Sequence, residues 1–168
     1  MTLATLNQLS REAFVQRIGP VFEHSPWIAD ATGERRPFNT LETLHTALCE
    51  AVLQSSETRQ LALIRAHPDL VGRAAQDGTL TRESSSEQAG AGLSDLSPEE
   101  IALFQKQNAA YRDRFGFPFV ICARLNKKAA ILAGFETRLN HSREQEIKTA
   151  LEEIFKIAEL RLHDLILH

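Results

Sequence analysis

SPEEIALFQKQNAAYRDRFG, Ser97 to Gly116, decides the fold. Ser97 can cap a helix, Pro98 occupies the first helical position, where its missing N–H costs nothing, and Glu100 lies at the spacing of a capping box. Behind that start, Ile101, Phe104, Asn108, Tyr111 and Phe115 recur at the helical period, and Gly116 closes the run. The same period governs Leu41, Leu44, Leu48 and Val52, in a helix begun by Asn39 or Thr40. Two more helices are expected from about Lys127 to Leu139 and from Ser142 to Leu165, the latter opened by Ser142 and Gln145 as a second capping box. No repeat, linker or low-complexity tract interrupts the chain. The expectation is an all-α protein, a single helical-bundle domain covering residues 1–168.

One segment departs from that period. Phe117-Pro118-Phe119-Val120-Ile121-Cys122-Ala123 is apolar, partly β-branched and interrupted by proline, so it reads as extended. In a helical protein such a segment lacks a sheet partner, and its buried N–H and C=O groups must be paired otherwise. A ligand rich in amide-like groups would pair them, and so would neighbouring side chains or waters. The residues by themselves favour the second reading.

Composition bounds the function classes. The chain has 168 residues, enough for a substantial core, with 43% hydrophobic and 24% charged residues and a formal net charge of −3. That balance, with no basic stripe, speaks against a nucleic-acid binder. The two cysteines, Cys49 and Cys122, form no C-x-x-C pair, so neither a disulfide framework nor a zinc knuckle is indicated and a reducing compartment is the simpler reading. No signal-peptide pattern and no apolar run long enough to cross a bilayer is seen, which gives the expectation of a cytoplasmic protein with no membrane partner.

Polar residues with catalytic capability concentrate between Arg65 and Leu93, in RAHPDLVGRAAQDGTLTRESSSEQAGAGL. The apolar run Leu61, Leu63, Ile64 must stop before Pro68, which puts His67 at a helix end. Glu83 to Gln88 reads as a short polar loop, and Ala89-Gly90-Ala91-Gly92 as backbone able to pass close to something else. Taken singly, His67 reads as a helix-terminal histidine near the last carbonyls, Asp69 as a cap or turn residue, Glu83 as a solvated charge, and Cys122 as a small buried hydrophobe. Trp27 lines a pocket mouth or plugs the core. In the final helix, Ile147, Leu151, Ile154, Ala158 and Leu165 share one face with Arg161, whose permanent charge then needs an anion, either a protein carboxylate or a substrate carboxylate.

Four stretches carry a resemblance: AHPDL at Ala66 to Leu70, LTRESSSEQAGAGL at Leu80 to Leu93, FQKQNAAYRDRFGFPFVICARLNKKAAIL at Phe104 to Leu132, and EIFKIAELRL at Glu153 to Leu162. In this order the chain resembles the 2-oxo-4-hydroxy-4-carboxy-5-ureidoimidazoline decarboxylases, which carry out the last step from urate to allantoin, over nearly its whole length. The resemblance implies an all-helical lyase without cofactor or metal, acting on a small ureidoimidazoline carboxylate and yielding (S)-allantoin. It implies that His67 is the acid/base and that Glu87 orients it or the substrate hydroxyl. By the same resemblance Pro68, Ser84, Ser85, Ser86 and Gln88, the backbone of Phe119, Val120, Ile121, Cys122 and Ala123, and Arg161 bind substrate, Arg161 through its carboxylate. A homodimer is implied as well, for which Leu160, Leu162 and Ile166 look exposed enough to serve. The closing Leu165-Ile166-Leu167-His168 is not a peroxisomal tripeptide, in keeping with a bacterial, cytoplasmic version.

Two rival classes use the same residues. His67-Pro68-Asp69 is also the tripeptide of the J-domain turn, but the helix before it, from Glu57 to Arg65, is mixed in charge rather than strongly basic. A metal-dependent hydrolase would need His67, Asp69 and Glu87 as ligands, and no second spaced histidine supports that set.

Overall fold

The computed structural model describes residues 1–167, so the final histidine of the expected domain lies outside the described residues. Helices dominate, and among the described residues the only β feature is an isolated bridge between Thr2 and Leu167. The chain divides into two compact units: Met1–Ala66 with the chain from Phe155 onward, and His67–Ile154.

The first unit holds α1 (Leu3–Asn7), α2 (Arg11–Ile18), α3 (Trp27–Gly33), α4 (Leu41–Leu53) and α5 (Glu57–Ala66). Thr40, not Asn39, starts α4, its hydroxyl accepting from Thr43 N–H while the Thr43 hydroxyl accepts from Thr40 N–H. Leu44, Leu48 and Val52 of the expected stripe are fully buried and join Phe14, Ile18 and Ile28, as α2 packs on α3 and α3 on α4. Trp27 opens α3, half-buried beneath the Arg59 guanidinium, 4.9 Å from the ring centre.

The second unit holds α6 (Arg73–Asp77), α7 (Arg82–Gly90), α8 (Pro98–Phe115), α9 (Lys128–Arg138) and the first half of α10 (Arg143–Leu165), whose remaining turns belong to the first unit. Both capping boxes form, Ser97 with Glu100 and Ser142 with Gln145. On α8, Phe104, Asn108, Tyr111 and Phe115 are buried as their period requires, and Gly116 ends the helix at φ 79°. Phe119 stacks on Phe135 of α9 at 3.9 Å between centroids and meets Tyr111 edge-on at 5.3 Å. Replacing Ser97 with alanine removes one partner of the box; we expect a loss of about 1 kcal/mol, read by thermal unfolding as a fall of roughly 2–4 °C.

Three expectations need correction. Residues 83–88 form part of helix α7 rather than a loop: the Thr81 hydroxyl accepts from Ser84 N–H, and the cap starts a helix whose many serines hid the apolar period. Behind it, Gly90 is the last helical residue with open space where a side chain would stand, so no close approach occurs there. Gly92 instead turns the chain at φ 82°, a conformation glycine adopts without strain. Leu162 on α10 is fully buried and Ile166, just past its end, nearly so; neither is an exposed contact residue, and Leu160 is half-buried.

Candidate active site

His67 is the first residue after α5, placed there because Pro68 cannot continue the helix, and it is only 6% exposed. The turn that follows is tightly held. Asp69 does not cap α6, whose N-cap is Gly72 with no side-chain bond. Its carboxylate accepts from the Arg112 guanidinium of α8 at 3.1 Å, while its carbonyl accepts from Gly72 N–H. A side chain at Gly72 would stand 2.6 Å from the Asp69 Cβ, so only glycine fits this turn.

Helix α7 supplies the next residues. Ser84 and Gln88 lie one turn apart and are buried; Glu87 beside them is half-buried, whereas Ser85 and Ser86 fall off that face and are exposed. The Gln88 side chain is engaged with the turn: its Oε1 accepts from Val71 N–H at 3.1 Å and its amide donates to Asp69 C=O at 3.4 Å. From α8, the Asn108 amide donates to Leu70 C=O at 2.8 Å.

The segment from Phe117 is extended at first, without strand pairing, and ends in a 3-10 turn over Ala123–Leu125, which packs against α7. Phe119, Val120, Cys122 and Ala123 are buried; Ile121 is half-buried. Two buried side chains take up its backbone groups. Glu153 of α10 accepts from Cys122 N–H at 3.2 Å, and Arg138 of α9 donates to Val120 C=O at 2.6 Å while its guanidinium lies 4.2 Å over the Phe119 ring. The side-chain pairing that the residues favoured is thus present at both positions.

Arg138 is in turn held by Glu146, a carboxylate with no exposure, through Nε at 2.7 Å. The Tyr111 hydroxyl donates to the same carboxylate, and His141 Nδ1 lies 3.0 Å from its other oxygen. Burial, and then the bond to Glu146, push the Tyr111 phenol well above its ordinary range, so it stays a donor. Sequence reasoning missed Arg138, Glu146 and Glu153, although each lies on a buried helical face, as in the series Ile131, Phe135, Arg138.

In the first unit, Arg161 is buried and has a protein carboxylate as its anion: Glu23 accepts from Nη2 at 2.8 Å, with both side chains at 5% exposure or less. Nη1 also donates to Pro20 C=O at 3.2 Å. Neither cysteine is set up as a nucleophile. Burial foremost pushes the Cys49 thiol up to about 12, and burial followed by the charges of Glu153 and Glu87 raises that of Cys122. Among the described residues no group of three or more His, Cys, Asp or Glu side chains could hold a metal ion, and Asp69, one of the three candidate ligands, is paired with Arg112. No helix among them is long and apolar enough to cross a membrane.

Known proteins match this chain along nearly its whole length. A family model described as OHCU decarboxylase matches residues 7–163. A 2-oxo-4-hydroxy-4-carboxy-5-ureidoimidazoline decarboxylase of Haloferax volcanii is 43% identical over 96% of this chain and 94% of its own, and one of Mus musculus is 41% identical over 99% and 93%. A crystal structure of an (S)-allantoin synthase superposes with a TM-score of 0.80 at 30% identity; it covers 99% of this chain, which spans about half, 54%, of that longer chain. An OHCU decarboxylase crystallised in the presence of (S)-allantoin shares the fold, with a TM-score of 0.71 at 24% identity over 87% of this chain and 94% of that one. With a family model matched over residues 7–163 and relatives at 41–43% identity over nearly their whole length, the chain belongs to the OHCU decarboxylase family.

Proposed function

We propose that the protein decarboxylates 2-oxo-4-hydroxy-4-carboxy-5-ureidoimidazoline to (S)-allantoin without metal or organic cofactor. The reading is carried by relatives of that name at 41–43% identity over nearly the whole chain. It is supported by the burial of His67 in a turn fixed from α7 and α8.

The chemistry needs little from the protein. The carbon that loses CO2 bears a hydroxyl and adjoins a C=N bond, so the electron pair of the breaking C–C bond moves into the ring system. The nitrogen of that C=N bond takes up a proton; the hydroxyl then gives up its own to become a carbonyl while the neighbouring ring carbon receives one, so that one proton is taken up overall. The protein must hold the breaking bond perpendicular to the acceptor π-system and move those protons. His67 is the group for the transfers, since imidazole titrates near neutrality and both gives and accepts protons. Glu87 orients the histidine or the substrate hydroxyl, and delivery from one face accounts for a single enantiomer. Pro68, the α7 serines, Gln88 and the backbone of residues 119–123 bind the ureido and ring amides. Arg161 binds the carboxylate, its guanidinium steadied by Glu23. A cytoplasmic homodimer completes the reading.

The test is to generate the substrate in situ from urate and follow circular dichroism at neutral pH. We expect one optically active allantoin to appear faster than spontaneous decay, at a rate unchanged by prior dialysis against a chelator. A rate equal to the spontaneous one would sink the assignment, and dependence on a stoichiometric metal would sink its cofactor-free form.

A further inference from the structure

The turn after His67 contains a backbone conformation that its own sequence does not favour. Val71 has φ +55°, in the left-handed region, and it is neither glycine nor asparagine but a β-branched residue, 1% exposed. Such a residue is a genuine outlier there, and it persists only where its surroundings over-determine it. The peptide group between Leu70 and Val71 is held at both ends. Asn108 on α8 donates to Leu70 C=O at 2.8 Å, and Gln88 on α7 accepts from Val71 N–H at 3.1 Å. Pinning both ends of one peptide fixes the orientation of its plane, and with it the strained φ.

Asn108 is the less expected half of this grip. It lies on the buried stripe of α8 between Phe104 and Tyr111, where an apolar residue would pack without cost, and its Oδ1 is buried with no hydrogen-bond partner among the described residues. An unpaired buried acceptor is unfavourable. What the amide provides in return is its single bond to Leu70, made across 38 residues of chain.

We propose that Asn108 is a positioning residue for the reaction: with Gln88 it clamps the Leu70–Val71 peptide, holding the turn that carries His67 and Pro68. Its bearing on catalysis rests on His67 being the acid/base. Its structural content, an ordered turn at residues 67–72, does not. Misplacing an acid/base by about 1 Å costs on the order of 10²-fold in rate. Of the groups assigned to substrate binding only Pro68 lies in this turn, so the cost falls chiefly on the proton transfers and affinity changes far less than rate.

The experiment compares wild type, Asn108→Ala and His67→Ala, measuring kcat and KM with substrate made in situ, helix content, and amide hydrogen exchange across residues 67–72. For Asn108→Ala we expect kcat to fall about 10²-fold with KM changed less than about threefold, faster exchange in the turn, and unchanged protection in α8. A residue that only supports the core would lower the melting temperature and leave kcat at 25 °C as in wild type; that result overturns the proposal, as does unchanged exchange in the turn. Should Asn108→Ala fail to fold, Asn108→Ser, which stays small and polar but is too short to reach Leu70 C=O, is read by the same criteria. Wild-type activity in His67→Ala would instead defeat the acid/base assignment, while exchange in Asn108→Ala still decides the clamp.

Discussion

Substitution of His67 by alanine is expected to abolish the accelerated formation of one allantoin enantiomer while leaving the helices intact. A positioned acid/base contributes about 10²–10⁴-fold, and no other imidazole of this turn can take over, since His67 is its only histidine. The fold should tolerate the change because His67 lies after the last residue of α5 and is not itself part of the helix. Decarboxylation itself need not vanish, because orientation by the remaining binding groups still favours loss of CO2. The sharper loss should therefore be in stereochemical purity, as protonation passes to solvent on either face. A variant with kcat/KM within about threefold of wild type, or with undiminished enantiomeric excess, would remove His67 from the mechanism.

The helical architecture could be read from the chain wherever burial follows one period. α4, α8 and α10 each announce themselves by a cap and an apolar stripe, and the structure reproduces both capping boxes and the glycine stop at Gly116. Helix α7 escaped because its buried face carries Ser84 and Gln88, polar residues that leave no apolar signal. What could be read there was only the cap at Thr81, one weak sign among several hydroxyls.

The candidate site divides in the same way. A histidine before proline is placed by local backbone rules, so the location of His67 follows from two residues of sequence. Long-range pairings do not: Asp69 with Arg112 and Leu70 with Asn108 join residues about forty positions apart, and the sequence of either partner alone is equally consistent with a solvated charge or a cap. For Arg161 the local periodicity correctly demanded an anion but could not identify it, and Glu23 answers from 138 residues away. The common cause is that a buried polar group takes its meaning from its partner, whereas a buried leucine needs only an apolar neighbour.

That dependence makes Glu146 the position where a single change should cost the most stability. Its carboxylate has no exposure and accepts from Arg138, while Tyr111 and His141 hold its two oxygens. Glu146→Ala would leave the Arg138 guanidinium buried without its anion, and a guanidinium cannot escape by losing a proton. Removing one member of a buried pair costs about 3–5 kcal/mol, so the melting temperature should fall on the order of 10 °C. Glu146→Gln, which keeps an acceptor for Tyr111 and Arg138 but loses the charge, should lie between that variant and wild type. The companion change is informative: Arg138→Met with Glu146→Leu removes both charges together, and should be less damaging than Glu146→Ala if the uncompensated charge is the main penalty. A double variant as unstable as the sum of its parts would instead assign the cost to lost packing on Phe119 and the lost bond to Val120 C=O. In that case the pair serves chiefly to hold the segment at residues 119–123, and the double variant should lose activity even at temperatures where it remains folded.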